Sequence, residues 1–394
     1  MTDILLKTKQ IEEKLISMRR YLHSIPEFGG NLPETRKFVC EQLDSLGIPY
    51  TLNSEDDGLI AEIKGAKPGK VLGLRADMDA LNIKEETGLP FASKFDGKMH
   101  GCGHDAHTAM LLAAAEIINQ NKASLNGTVR LVFQSGEETG TGAKAMIKEG
   151  VLNGLDALCA AHVGNLTGED LTPGTITVTD GAATAGKAKF SVVINGKGTH
   201  SAYPQRGIDP IMTGVKIIEE SHKMIREELK GENVILAFAN FSAGEDHNTI
   251  PSTATLKGSI RAQSVKARDY AAKRFGEICD EVSAEFGATV DKNIILGSIP
   301  VINDKNLAKT VSEAIKSVIN AKLVVTEPAE PLMGSDDFCN FAAKVPSVYF
   351  FIHTNNFEKG IKEVNHNPKF DVDESVLYLG AASFVAIVDK YLGL

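Results

Sequence analysis

The feature that most constrains the fold is an alternation of apolar strands and helices between residues 71 and 163. Apolar runs at 70–78, 128–135 and 155–163 have β character, and the helical segments "HTAMLLAAAEIINQ" and "GAKAMIKEGV" separate them. Strands that are apolar on both faces and joined by helices predict a mostly parallel sheet covered on both sides. Ligands of such sheets gather at the carboxyl ends of the strands.

The pattern changes near residue 180, after a joint rich in glycine and alanine. From there the order of elements is β-α-β-β-α-β, which is typical of a ferredoxin-like layout, and the α/β pattern resumes after residue 297. We therefore predict an α/β fold with a mostly parallel mixed sheet flanked by helices. We expect residues 1–181 and 297–394 to form the domain that contains this sheet, and residues 182–296 to form an inserted α+β, ferredoxin-like lid.

Composition limits the possible partners. The chain of 394 residues carries a net charge of −9, which predicts no nucleic-acid partner. Its amino-terminal segment lacks the features of a signal peptide, and no apolar run reaches the length of a membrane span. We expect a cytoplasmic protein without a membrane partner. The five scattered cysteines do not predict a disulfide framework.

The stretch "MHGCGHDAHTAM", residues 99–110, places a thiol and an imidazole two positions apart. In extended backbone the side chains of Cys102 and His104 point the same way. A thiolate with a neutral imidazole suits zinc and comparable divalent metals. Taken alone, the pair fits buried residues without a ligand equally well.

Three further segments carry ligand-type side chains at strand ends. Glu137 and Glu138 follow the second apolar strand, His162 ends the third, and His366 follows an apolar run at 347–354. Each has an ordinary alternative, such as a solvated loop or a satisfied strand-end histidine. Together with "HGCGH" they offer enough ligands for two metals and one spare carboxylate, which is the group that accepts a proton from an activated water.

The order of several motifs carries a family resemblance. They are "MRRYLHSIPEFG", "GLRADMDAL", "MHGCGHDAHTAM", "VFQSGEETGTGAKAMI", "AAHV", "GKGTHSAYPQRGIDPI", "NTIP", "GSDDF" and "HNPKFDVDE". The chain resembles the co-catalytic metallopeptidase family of aminoacylases and glutamate carboxypeptidases. It is most similar to the amidohydrolase branch, which contains hippurate hydrolases, indoleacetyl-amino-acid hydrolases and N-acetyldiaminopimelate deacetylases.

The resemblance implies a centre of two divalent ions, which in this family are zinc, manganese, cobalt or nickel. It implies five ligands: Cys102 as the bridge, His104 and His162 for one ion, and Glu138 and His366 for the other.

It also implies roles outside the ligand set. Glu137 matches the general base, and His200 matches a lid histidine that reaches an active site, commonly that of the partner subunit. Asn248 and Arg261 resemble groups that bind the substrate carboxylate, and Asp77 falls where relatives orient a ligand. The implied substrates are N-acyl amino acids or dipeptides, and the implied assembly is a homodimer formed through the lid.

Three positions depart from the family pattern. Asn82 stands where proline is common, Gln205 where histidine or glutamate is common, and Asp336 where glutamate is usual. None of the three is an implied ligand. We expect Gln205 and Asp336 to line the pocket or its hinge, so they bear on substrate identity.

Other functions remain to be weighed. A cysteine hydrolase with Cys102 as nucleophile would keep its activity in EDTA. A binding module with a structural metal would not need a spare base. The run "GEETGTGAKAM" matches neither nucleotide-binding fingerprint. Within the preferred reading, deacylation of N-acyl amino acids competes with dipeptidase or carboxypeptidase action, and the Cys102 bridge favours deacylation.

Overall fold

The computed structural model describes residues 2–164, 171–328 and 331–394. Its α-helices are α1 (Asp3–Gln10), α2 (Glu12–His23), α3 (Pro33–Ser45), α4 (His104–Gln120), α5 (Gly142–Lys148), α6 (Pro210–Glu227), α7 (Val265–Phe286), α8 (Lys305–Val318), α9 (Cys339–Ala342) and α10 (Leu377–Leu392). Its strands are β1 (Tyr50–Leu52), β2 (Leu59–Lys64), β3 (Lys67–Asp77), β4 (Asn126–Gln134), β5 (Ala157–Gly164), β6 (Ile176–Thr177), β7 (Gly181–Ala182), β8 (Gly186–Asn195), β9 (Thr199–His200), β10 (Val234–Ala243), β11 (Thr249–Ile250), β12 (Thr253–Ala262), β13 (Thr289–Leu296), β14 (Ile302–Asn303), β15 (Val324–Val325) and β16 (Ser347–His353).

The chain divides into two compact units. The first comprises Met1–Ala183, Val301–Leu332 and Asp336–Leu394, and the second comprises Thr184–Pro300 with Met333–Ser335. The sequence prediction placed the joints at 181/182 and 296/297, and it did not anticipate that a short later segment joins the second unit.

The first unit is built on an eight-stranded sheet of order β1-β2-β4-β3-β5-β16-β6-β15. The four central strands β4, β3, β5 and β16 run parallel. The pairs β1–β2, β2–β4 and β6–β16 are antiparallel, so the sheet is more mixed than the apolar runs suggest. An α/β fold with a large mixed sheet flanked by helices is thus confirmed.

Helix α4 lies against β3 and β5 in the core of this unit. Most of its residues are buried, and most of its side chains are small or apolar. It begins after Gly103, which has a φ of +89°. A Cβ atom there would lie 2.5 Å from Val163 Cγ2, so only glycine fits both the conformation and the space. This glycine lets the chain turn sharply between Cys102 and His104.

The closing segment 374–392 is long and apolar enough to cross a membrane by length and composition. Within the protein, 72% of its most apolar stretch is buried, which is the pattern of a core helix. Helix α10 packs on α4 and α8, and Phe384 stacks edge-on against Phe350 of the sheet. The apolar composition of α10 therefore follows from its place beneath the sheet.

The second unit contains a four-stranded antiparallel sheet of order β10-β12-β8-β13. Along the chain its main elements follow the order β8-α6-β10-β12-α7-β13. The core includes Phe190 and Phe275, whose ring centroids are 4.4 Å apart, with Phe238 at their edges. Helix α6 begins at Asp209, whose carboxylate accepts N–H groups of the first turn.

A buried arginine ties α2 to distant parts of the first unit. Arg19 has 0% side-chain exposure, and its Nε lies 2.8 Å from Asp105 Oδ2 in α4. Its other nitrogens contact Asp371 Oδ1 at 3.1 Å and Glu374 Oε1 at 3.2 Å. These contacts fix the start of α4, which carries His104, relative to the carboxy-terminal segment.

We predict that Arg19→Met lowers the free energy of unfolding by about 3–5 kcal/mol, because it breaks a buried ion pair and leaves the Asp105 carboxylate only the His23 imidazole, at 2.7 Å, as a charged partner. The matched control is Arg20→Met. Arg20 pairs with the same Glu374 at 2.6 Å but is 49% exposed, so its loss should cost about 0–1 kcal/mol. Urea unfolding measures both, and equal losses would contradict the role given to Arg19.

Candidate metal centre

The polar side chains of the first unit collect where its parallel strands end. Asp77 ends β3, Gln134 ends β4 and His162 lies near the end of β5. The loop before α4 brings Cys102 to the same edge. Parallel strands point their carboxyl ends at one edge of a sheet, so four distant parts of the sequence meet there.

Cys102 and His162 form one close pair. Cys102 Sγ lies 3.5 Å from His162 Nε2. The other ring nitrogen, Nδ1, lies 2.8 Å from the carbonyl oxygen of Val163, so Nδ1 carries the proton and donates it. Nε2 is therefore left with its lone pair facing the thiol. A metal-ligating histidine requires this tautomer.

Glu138 and His366 form a second pair. His366 Nε2 lies 3.4 Å from Glu138 Oε1, and His104 Nε2 lies 4.0 Å from the same oxygen. The set Cys102, Glu138 and His366 also has donor atoms within 4.8 Å of one another, as does the set Cys102, His104 and His162. All five residues that the sequence singled out as ligands thus lie in one pocket.

The donor atoms fit a pair of divalent ions. Both nitrogens of His104 and Glu138 Oε1 are buried without a hydrogen-bond partner among the described residues. Ligands bound 2.0–2.3 Å from one tetrahedral ion are about 3.5 Å apart, which is the spacing of both pairs above. Buried polar atoms left without partners are rare unless a ligand satisfies them. Sulfur, imidazole and carboxylate ligands suit zinc and its neighbours.

His107 supports the pocket but is not available to an ion. Its Nδ1 lies 2.5 Å from Asp77 Oδ1, and its Nε2 accepts the N–H of Val163 at 2.8 Å. Both ring nitrogens are used, although a ligating atom of His107 lies near those of Asp77 and His104. The sequence analysis placed Asp77 beside a ligand but assigned nothing to His107, which stands in the quoted stretch.

The carboxylate of Asp79 accepts hydrogen bonds from the backbone N–H groups of both glutamates. Its Oδ1 accepts the N–H of Glu137 at 3.0 Å, and its Oδ2 accepts the N–H of Glu138 at 3.1 Å. Its Oδ1 also lies 3.5 Å from His104 Nδ1. The sequence analysis missed this residue. Arg75, Asp77 and Asp79 alternate along the chain, and that spacing places them on one side of an extended segment.

The pKa shifts of the ligand-type side chains differ in direction. Burial, and then the charge of Glu138, raises the pKa of the Cys102 thiol well above its usual value. Burial opposes the charge on His104, yet Asp77 raises the pKa of that imidazole well above its usual value. Burial lowers the pKa of His162. Without cations, the pocket therefore holds protons on Cys102 and His104.

Glu137 lies beside this set without belonging to either pair. Burial, and then the charges of Asp336 and Glu138, raise its pKa well above its usual value. Bound cations would oppose this repulsion, because a metal ion is the largest local charge in such a site. Glu138 behaves differently: burial opposes its charge, but His366 and His104 together outweigh burial and lower the pKa of its carboxyl.

The remaining predicted site residues belong to the second unit. His200 is exposed on β9, which pairs with β11, and the N–H of Ser201 donates to the carbonyl oxygen of Asn248. His200 and Asn248 therefore lie together at one small two-stranded antiparallel sheet. Arg261 lies on β12, where its Nη1 donates to the carbonyl oxygen of Met333 at 2.8 Å.

Two positions that depart from the family pattern differ in setting. Gln205 is exposed in a short 3₁₀ helix of the second unit. Asp336 is buried in the first unit, where it contacts Arg75 and accepts the hydroxyl of Tyr349 at 2.5 Å. Its carboxylate is thus bound by neighbouring side chains of a buried cluster.

Comparison with known proteins finds relatives along nearly the whole chain. The chain is 34% identical over 391 residues to thermostable carboxypeptidase 1 of Saccharolobus solfataricus, covering 97% of this chain and 96% of that protein. It is 35% identical over 386 residues to N-acetylcysteine deacetylase of Bacillus subtilis, covering 96% and 97%. The crystal structure of a dinuclear metal-binding peptidase from Bacillus subtilis is similar with a TM-score of 0.81 and 34% identity, covering 96% of this chain and 98% of that one.

The fold, the pocket and these relatives define the class of protein as a metal-dependent hydrolase. Residues 73–390 match peptidase family M20/M25/M40. The chain belongs to that family, and its relatives are consistent with the amidohydrolase branch.

We predict that metal binding releases at least two protons near pH 7, from Cys102 and His104, because ligands must be deprotonated. Both groups have a raised pKa in the metal-free protein, so they hold protons at that pH and apparent affinity rises as the pH rises. Calorimetric Zn²⁺ titrations in buffers of different ionisation enthalpy measure the number. Cys102→Ser should release about one proton fewer, whereas Cys279→Ser, at another buried thiol, should change nothing. No proton release would contradict the ligand assignment.

Proposed function

We propose that the protein hydrolyses the amide bond of N-acyl amino acids, giving a carboxylic acid and a free amino acid. The observation that carries this proposal is the convergence of two ligand pairs, Cys102 with His162 and Glu138 with His366, beside Glu137. Two ligand pairs with a free carboxylate next to them are what metal-assisted hydrolysis requires.

In this proposal His104 and His162 would hold one ion, Glu138 and His366 would hold the other, and Cys102 would be a ligand of both. The ions would lower the pKa of a water molecule to about 7 and polarise the substrate carbonyl. Asp77 keeps His107 in place, and the chain of contacts from His107 through Val163 to His162 fixes the orientation of a ligand.

Glu137 is the proposed general base. It takes a proton from the attacking water and returns it to the departing amine, so each cycle leaves the carboxylate unchanged. Two features support this role. Asp79 holds the backbone of Glu137, and the side-chain Oε1 accepts the N–H of Asp337 at 3.3 Å. The second carboxylate oxygen is then free of that contact and can meet the water.

The second unit is proposed to act as the lid and to supply the groups that recognise the substrate. The Nδ1 of His200 accepts the N–H of Ala202 at 3.1 Å, which leaves the proton on Nε2. His200 can therefore donate a hydrogen bond to the oxygen that becomes negative during attack. Arg261, with Asn248, is proposed to bind the substrate carboxylate, for which a planar guanidinium is well suited.

The competing activity is peptide cleavage. One relative is named a carboxypeptidase and another a deacetylase, at nearly the same identity, so names alone do not separate them. Both reactions use the same ions and the same carboxylate clamp, and they differ in the group on the acyl side. We favour deacylation because the thiol bridge, Cys102, resembles the amidohydrolase branch.

The proposal extends to a homodimer formed through the second unit. Strand β10 is an edge strand, pairing with β12 alone among the described residues. Ile235 and Phe241 of this strand are exposed, at 45% and 39%. An exposed apolar edge strand is a surface that soluble proteins usually cover.

Glu137→Gln should lower kcat by about 10²–10⁴-fold, because it removes the proton acceptor while keeping the shape of the side chain. The content of bound metal should stay near that of the wild type, since Glu137 belongs to neither ligand pair. Steady-state kinetics and elemental analysis of the same preparation measure both quantities. Loss of both ions from the variant would show that Glu137 is a ligand instead.

The substrate class is tested with metal-reconstituted enzyme on N-acetyl amino acids, N-benzoyl amino acids and dipeptides. We expect kcat/KM to be higher for the N-acyl amino acids, and activity to disappear on dialysis against EDTA and return with Zn²⁺ or Mn²⁺. Higher values for dipeptides would establish the alternative activity. Full activity in EDTA would instead support a cysteine hydrolase.

A further inference from the structure

A fully buried cluster lies directly behind Glu137. The guanidinium of Arg75 has no exposure, and its Nη2 contacts Asp336 Oδ1 at 3.3 Å and Asp337 Oδ1 at 3.4 Å. Its Nε donates to Gln134 Oε1 at 2.9 Å, and Gln134 Nε2 donates in turn to Asp337 Oδ1 at 2.7 Å. Arg75, Gln134 and Asp337 thus form a closed ring of hydrogen bonds.

Asp337 also contacts the rest of the loop that carries Glu137. Its Oδ2 accepts the N–H of Ala143, at the start of α5, at 2.9 Å. Its own backbone N–H donates to Glu137 Oε1 at 3.3 Å. The loop runs from Gln134 to Ala143, so Asp337 binds both of its ends and the side chain at its centre.

A third cation site is the first alternative, because Glu137, Asp336 and Asp337 each place an oxygen within 4.8 Å of the others. The hydrogen bonds argue against it. Asp336 Oδ1 accepts the N–H of Phe338 at 2.7 Å as well as facing Arg75, and its Oδ2 accepts the Tyr349 hydroxyl. Both oxygens of Asp337 also have donors, and Arg75 already supplies the positive charge.

We infer that Asp337 is a positioning residue that sets the orientation of the Glu137 carboxylate. This inference rests on the proposed function, in which Glu137 is the base. The side chain of Asp337 is anchored by Gln134 and Ala143, so its backbone N–H is fixed relative to the loop. That N–H holds one oxygen of Glu137 and leaves the other to accept a proton. Displacement of a reacting group by about 1 Å can cost about 10²-fold in rate.

The test is Asp337→Asn in the metal-loaded enzyme. The substitution replaces one carboxylate oxygen with an amide NH₂ group, which cannot accept the hydrogen bond from Gln134 Nε2 or from the Ala143 N–H. We therefore expect kcat to fall about 10–100-fold. KM and bound metal should stay near the wild-type values. The matched control is Asp57→Asn. Asp57 is also a buried carboxylate that accepts a backbone N–H and pairs with an arginine, but no hydrogen bond joins it to residues 134–143 in the part of the chain described. Its kcat should be unchanged.

A double-mutant cycle separates positioning from general damage. Glu137→Asp keeps a carboxylate but withdraws it from the Asp337 N–H. In that background Asp337→Asn should change kcat by less than about threefold, because two residues that act through one group are not additive. Losses that multiply would overturn the inference, as would an Asp337→Asn variant with wild-type kcat.

Two further outcomes have defined meanings. If Asp337→Asn does not fold, Gln134→Asn replaces it, since it shortens the amide that binds Asp337 and should lower kcat in the same direction. A wild-type kcat in Gln134→Asn would then overturn the inference. If Glu137→Gln itself keeps full activity, the proposed function fails, whereas an inactive Glu137→Gln with a normal Asp337→Asn removes only the present inference.

Discussion

The guanidinium of Arg75 is the interaction on which the centre of the protein depends. It lies without exposure at the end of β3 and contacts Asp77 on one side and Asp336 and Asp337 on the other. Asp77 leads to the histidines of the metal pocket, and Asp337 leads to the loop of Glu137. Removing one member of a buried ion cluster leaves an uncompensated charge, which costs about 3–5 kcal/mol. The histidines of the metal pocket and the loop of Glu137 therefore both depend on the positive charge of Arg75.

The topology of the sheet explains how residues that lie far apart in the sequence can form one pocket. β4, β3, β5 and β16 are parallel, so their carboxyl ends and the loops that follow meet at one edge. The carboxyl-terminal halves of β3 and β4 and the whole of β5 and β16 are buried, and most polar side chains of the pocket lie at or just beyond their ends. Asp79 and His107 then link neighbouring loops, one through backbone N–H groups and the other through Asp77 and Val163.

The sequence predicted the α/β fold and the ligand-type residues because both depend on local patterns. Strand ends, residue types and motif order drew attention to Cys102, Glu138 and His366, and the structure brings them together. The sequence could not reveal the partners of Asp337. Its hydrogen bonds to Gln134 and Ala143 span about half of the chain and depend on tertiary contact.

Details of geometry were beyond the sequence for the same reason. His107 stands among potential ligands, and only the bond from Val163 shows that its second nitrogen is occupied. The sheet is more mixed than expected, because apolar runs do not reveal the direction of edge strands. Residues Met333–Ser335 belong to the second unit, although the residues on either side of them belong to the first. No feature of the amino-acid composition marks this segment.

His366 differs from the other proposed ligands in its backbone. Among the described residues it is the one non-glycine with a positive φ, +69°, and its side chain is 52% exposed. A left-handed conformation costs a residue with a Cβ about 1–2 kcal/mol. In the proposed centre, the half-exposed imidazole of His366 would leave the ion at this side facing solvent, whereas Cys102, His104 and His162 are buried. The two ions would then exchange at unequal rates, so the enzyme could replace one metal species with another without unfolding.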